Sequence, residues 1–171
     1  MTTTTKKTTR TRTKPVVETT AKETKLPPNP FMNEILDFVV EQETDEDKVK
    51  ILKEYENDAL KALFIWNFDS TVISVLPQGE VPFRPNESPL GTDHSSLRRE
   101  FKHLYNFVKG GNDAMNRLRK ETMFINLLES FHPGEAEVLC LVKDKKLQTK
   151  YNITKELVSE AYPDIQWGNR S

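Results

Sequence analysis

Apolar residues recur at helical spacing through most of this chain after position 31, and they are scarce before it. Phe31, Ile35, Phe38 and Val39, with Met32 and Leu36 beside them, trace one face of a helix running to about Glu41. Asn29 before Pro30 predicts a cap followed by a proline in the first turn. Thr44, with Asp47 three residues on, predicts a second start, and Asp45, Glu46 and Asp47 put negative charge at the positive end of the helix dipole. Val49, Leu52 and Tyr55 form its stripe. Asn57 predicts the cap of a third helix, Asp58 to about Trp66, which is apolar on most faces and expected near the centre of the core.

The pattern then breaks. Val72 to Leu76 is β-prone, and Pro77, Pro82, Pro85 and Pro89 with Gly79 and Gly91 exclude a long helix. A short hairpin around Pro77-Gln78-Gly79 would fit. Helical spacing resumes after Ser95-Ser96, where Leu97, Phe101, Leu104, Tyr105 and Val108 form one stripe up to the stop signal Gly110-Gly111. Asn112 is the expected cap of a helix reaching about Phe131, facing inward through Met115, Leu118, Thr122, Ile125 and Leu128, widened by Phe124 and Leu127. Pro133 opens another, with Val138, Leu139, Leu141 and Val142 as its apolar residues. Ile153 and Val158 staple the start of a last short helix around the cap Thr154, which ends by Tyr162-Pro163. The sum is a mainly α fold, a compact bundle of about seven helices around a proline-rich central loop, with no repeat of fixed period.

Charge changes the picture at the N-terminus. The whole chain of 171 residues carries a formal charge of -1, yet Lys6, Lys7, Arg10, Arg12, Lys14, Lys22 and Lys25 face only Glu18 and Glu23 in the first 26 residues. That segment is +5 and the rest −6. Threonine fills most of its other positions, and it cannot offset an ordering entropy of roughly 1–2 kcal/mol per residue. We expect residues 1–30 to be a disordered basic tail and proline linker, 31–165 the helical domain and 166–171 a flexible C-terminus. The tail cations suit sequence-blind attraction to nucleic-acid phosphates, without the aromatic groups that stack on bases. The bland reading is a solubilising extension.

The catalytic inventory is thin. His94, His103 and His132 have no metal-ligand spacing, and no phosphate-binding glycine motif is present. Cys140 lies between two leucines and reads as a small buried hydrophobe, and a single cysteine supplies no disulfide framework. Neither a metal nor a cofactor is expected, and the protein reads as not an enzyme. No apolar run reaches the roughly 18 residues that would span a bilayer, and the N-terminus lacks the apolar region of a secretory signal. Arg98, Arg99, Lys102, Arg117, Arg119 and Lys120, and then Lys143, Lys145 and Lys146, read first as solvated faces and helix-end charge compensation, and second as a phosphate-contacting surface. Phe83 and Leu90, with Val81, lie among the loop prolines, and Ile165 and Trp167 follow the breaker Pro163. Each pair is a candidate partner-binding element, weighed against packing on the core.

The run Glu121-Thr122-Met123-Phe124-Ile125-Asn126-Leu127-Leu128-Glu129-Ser130-Phe131-His132-Pro133-Gly134-Glu135, continuing to Leu147, resembles a family of small uncharacterised proteins of T4-like tailed bacteriophages of marine bacteria. So do Tyr151 to Thr154, Leu157 to Pro163, the segment Asp45 to Asn57, Leu76-Pro77-Gln78-Gly79 and Leu104 to Asn112. The likeness covers about residues 33 to 165 and leaves the threonine tail outside. It implies a viral origin and a host-cytoplasm setting, and it carries no catalytic residues to transfer. The expected function is a non-enzymatic phage accessory protein that binds a phage or host protein, and nucleic acid non-specifically through its tail, with no membrane partner. The alternative is a virion structural or assembly component.

Overall fold

The computed structural model describes residues 26–89 and 94–170, and these form eight α-helices and one 3-10 segment around one shared apolar core. The only β pairing among the described residues is two isolated bridges. The mainly α reading holds.

Local capping chemistry sets most helix starts. In α2 (Asp45–Glu54) the Thr44 hydroxyl accepts from the Asp47 N–H at 3.2 Å. In α3 (Asp58–Phe68) Asn57 accepts from the Leu60 N–H at 2.8 Å. In α8 (Lys155–Ala161) Thr154 accepts from the Leu157 N–H, and the staple residues Ile153 and Val158 are both buried. α6 (Pro133–Lys143) starts on its proline, with His132 Nδ1 accepting from the Gly134 N–H. α7 (Leu147–Lys150) is a single short turn that the apolar pattern did not announce.

Two helix starts are capped from across the fold instead. α1 (Met32–Val40) begins later than Asn29 predicts: Asn29 takes a left-handed φ of 52°, and Phe31 occupies the cap without a side-chain hydrogen bond. The Met32 N–H donates to Glu135 Oε2 at 2.9 Å. α4 (Leu97–Glu100) likewise has no cap from Ser96, and its Leu97 N–H donates to Glu135 Oε1 at 3.1 Å. One buried carboxylate from α6 therefore satisfies N–H groups that two helix termini leave open.

The stripe expected from Leu97 to Val108 is not one α-helix. After α4 the chain tightens into the 3-10 segment Phe101–Phe107. At three residues per turn, Phe101, Leu104 and Phe107 share a face, so Phe107 is fully buried and Tyr105 is 52% exposed. α5 (Arg117–Ser130) starts on Asn116 rather than Asn112, whose amide donates to Asn106 Oδ1. The inward face of α5 is Lys120, Phe124 and Leu128, while Leu118 is 73% exposed. An edge contact between Phe107 and Phe124, 5.1 Å between centroids, holds that rotation.

The β-prone run forms no hairpin around Pro77-Gln78-Gly79 among the described residues. It pairs with the end of the 3-10 segment, where the Val75 N–H donates to the Phe107 carbonyl and the Lys109 N–H to the Ile73 carbonyl. The loop is then fastened by Lys143, whose buried ammonium donates to the carbonyls of Pro77 and Gly79 and pairs with Asp144 at 2.6 Å. Lys145 donates to the carbonyls of Trp66 and Asp69. Lys143 does lie in the last turn of α6, as the helix-end reading expects, but it and Lys145 are internal ties rather than a solvated face or a phosphate-contacting surface.

A candidate protein-binding groove

α3 carries more apolar surface than the bundle covers. Ala59, Leu60, Leu63, Phe64 and Trp66 are buried, whereas Ala62 and Ile65, on the helix face between them, are only half-buried. These two form one wall of an open groove of about 440 Å³. Phe101, Leu104 and Tyr105 form the facing wall, and Val72 and Val108 add further apolar surface. The 3-10 pitch creates the shape, because it turns Phe107 into the core and leaves Tyr105 outside. The indole of Trp66, which also lines the groove, is fixed from behind: its Nε1–H donates to Ser74 Oγ at 2.7 Å, and that hydroxyl donates to the Lys143 carbonyl at 2.7 Å.

Three cations line the groove, Lys102, Lys109 and Arg170, and no carboxylate does. Arg170 is held by Asp69 at 2.8 Å. Lys102 and Lys109 are exposed and make no ion pair with a described residue. Gly111 closes one end, so near Tyr105 that a Cβ there would lie 1.8 Å from the Tyr105 carbonyl oxygen.

Titratable groups gather elsewhere, at the start of α6. His132 stacks on Phe31, and His94 meets His132 edge-on, each with centroids 5.5 Å apart. Burial pushes Glu135 up to about 6 despite the N–H groups of Met32 and Leu97 on it. Burial and the neighbouring His94 pull His132 below the usual histidine range. Both Glu135 oxygens and His132 Nδ1 already accept backbone N–H groups, so these side chains act as helix caps. Burial pushes the Cys140 thiol up to about 11, away from nucleophilic use. Among the described residues no group of three or more His, Cys, Asp or Glu side chains could hold a metal ion, and no helix is long and apolar enough to cross a membrane.

The candidate binding residues fall in three places. Lys6, Lys7, Arg10, Arg12, Lys14, Lys22, Lys25 and Leu90 lie outside the described residues. Phe83 is half-buried and packs on the core, beside a tie from the Arg84 N–H to Glu129. Ile165 and Trp167 also pack on the core. The Trp167 indole N–H donates to Ser159 Oγ at 3.0 Å, and the Lys155 ammonium sits over its ring. The segment expected to be flexible after 165 folds back, with the Gly168 N–H and Arg170 both on Asp69. Sequence reasoning missed the groove. Its available signal was the surplus apolar face of α3, which was assigned wholly to the core.

The class these features define is an all-helical domain with one wall of its central helix left open to a cation-edged groove. Residues 35–149 match the family of unknown function DUF6433, and the chain belongs to that family. No curated protein and no solved structure matches it. The matched segment contains every residue that lines the groove except Arg170.

Proposed function

We propose that this protein is a non-enzymatic bacteriophage accessory protein that holds a segment of another phage or host protein in the groove between α3 and the 3-10 segment. The observation that carries this reading is the half-buried apolar wall of α3, Ala62 and Ile65, lining a groove with a half-exposed tyrosine. Apolar surface gathered in one concave place is the usual mark of a protein interaction site. The phage setting and the host cytoplasm come from the sequence resemblance. The tail adds a second, weaker term: seven cations against two acids attract polyanions by counterion release, without reading sequence.

A photo-crosslinking residue placed at Tyr105 during infection tests the first part. One protein should crosslink there and not from the exposed control position Leu118. The purified pair should then lose at least tenfold in affinity with Tyr105→Ala. Equal crosslinking from both positions, or no loss with Tyr105→Ala, overturns the reading. Fluorescence anisotropy with a labelled duplex, comparing the full chain with one starting at Pro27, tests the tail. Equal affinity of the two, or affinity that ignores salt, removes the tail from the function. Recovery of the protein at stoichiometric amounts in purified phage particles would replace the accessory role with a virion one.

A further inference from the structure

We infer that the segment seated in this groove is an acidic one, with apolar or aromatic anchor side chains flanked by Asp or Glu. The inference rests on the groove being a protein-binding site and adds the chemistry of what binds. Outside the first 26 residues the chain carries −6, yet every charged residue lining this groove is a cation. Two carboxylates in the flanking segments are engaged: Asp69 holds Arg170, and Asp113 accepts from the Gly110 N–H at 3.0 Å. Lys102 extends from the 3-10 wall and Lys109 from the segment that pairs with Ile73, so two ammonium groups that make no ion pair with a described residue line the apolar surface.

An occupant with carboxylates beside its anchors would satisfy both lysines, and the groove's own field would speed its arrival. A basic segment would meet like charge, and this disfavours the chain's own N-terminal tail as occupant. A nucleic acid would also meet the cations, but the walls are mostly aliphatic. Ala62, Ile65, Val72, Leu104 and Val108 offer no flat face for a base, and Tyr105 is the one aromatic lining residue that is more than half exposed.

Selection from a displayed library of random linear peptides tests this, using the full chain as bait and subtracting on Ala62→Arg, which fills the groove. If that variant fails to fold, Tyr105→Asp at the exposed edge replaces it. The groove-dependent sequences should carry apolar or aromatic anchors and a clear excess of Asp and Glu over Lys and Arg. Their affinity should fall with added salt and drop at least tenfold on the double variant Lys102→Glu, Lys109→Glu. Exchanging the peptide's acids for lysine should restore binding to that variant. Groove-dependent peptides without an acidic excess, or equal binding to the charge-reversed variant, overturn the inference and leave the protein-binding reading intact. No groove-dependent peptide at all overturns both. So does a labelled single strand of DNA whose binding needs Tyr105.

Discussion

The Asp69 carboxylate, 1% exposed, pairs with the Arg170 guanidinium at 2.8 Å across 101 positions of sequence. Burial alone would raise this carboxyl. Hydrogen bonds from the Thr71 side chain, the Gly168 and Thr71 N–H groups and Arg170 outweigh it and hold it at about 2. The group is ionised in the fold at pH values where it is protonated in the unfolded chain. It therefore contributes stability above its ordinary value of 3.8, lost as pH falls toward 2. Asp69→Asn should cost about 2 kcal/mol at neutral pH by denaturant titration and flatten the acid limb below pH 4. Arg170→Ala, on the half-exposed partner, should cost about 1 kcal/mol or less.

Glu135 has the opposite sign. Burial raises it from 4.5 to about 6, so across that window the unfolded chain ionises first and stability falls as pH rises. The fall should be roughly 2 kcal/mol and complete about one pH unit above the raised value. Glu135→Gln keeps a carbonyl acceptor and removes the titration. The difference between the two proteins' stability curves should change most between pH 4.5 and 6 and level off about one unit beyond each end. His132 titrates alike in both proteins and drops out. A difference that does not vary with pH would show that Glu135 is not the titrating cap.

Adjacent glycines separate two effects. Gly110 has a φ of 86° and open space where a Cβ would go, so Gly110→Ala should cost about 1 kcal/mol through backbone conformation alone. Gly111 has an ordinary φ, but a Cβ would overlap the Tyr105 carbonyl. Gly111→Ala should cost about 2–3 kcal/mol and shift the groove wall, seen in chemical shifts of Tyr105 and Leu104. Equal costs for the two variants would contradict this geometry.

The Cys140 thiol, pushed from 9.0 to about 11 by burial, should react with a thiol reagent at least about a hundredfold more slowly in the folded protein than in denaturant. The rate on folding should drop in one cooperative step. A fast native reaction would place Cys140 in an open site that this fold does not contain.

Helix existence was legible because the evidence for it is local. Thr44, Asn57, Pro133 and Thr154 mark starts through bonds to residues within four positions, and the apolar spacing of α1, α2 and α8 needs no partner to be read. The start of α1 was misread because its cap is Glu135, 103 positions away; the start of α4 at Leu97 was legible, though its cap, the same Glu135 38 positions away, was not. The rotation of α5 was misread for a related reason. Met115, Leu118, Thr122, Ile125 and Leu128 make an equally regular stripe, and tertiary packing, the contact with Phe107 included, selects Phe124 and Lys120 beside Leu128 as the inner face.

The sequence by itself determined a mainly helical domain, its local caps, the break at the prolines and the separation of a +5 N-terminal segment from a −6 remainder. Tertiary structure alone decided which lysines are internal ties and that Tyr105 faces out. It also decided that the C-terminal Trp167 folds back and that one face of α3 is only half covered. Local hydrogen bonds and spacing act within a turn or two of chain. An unfilled apolar face is defined by what fails to pack on it, and that depends on every other helix at once.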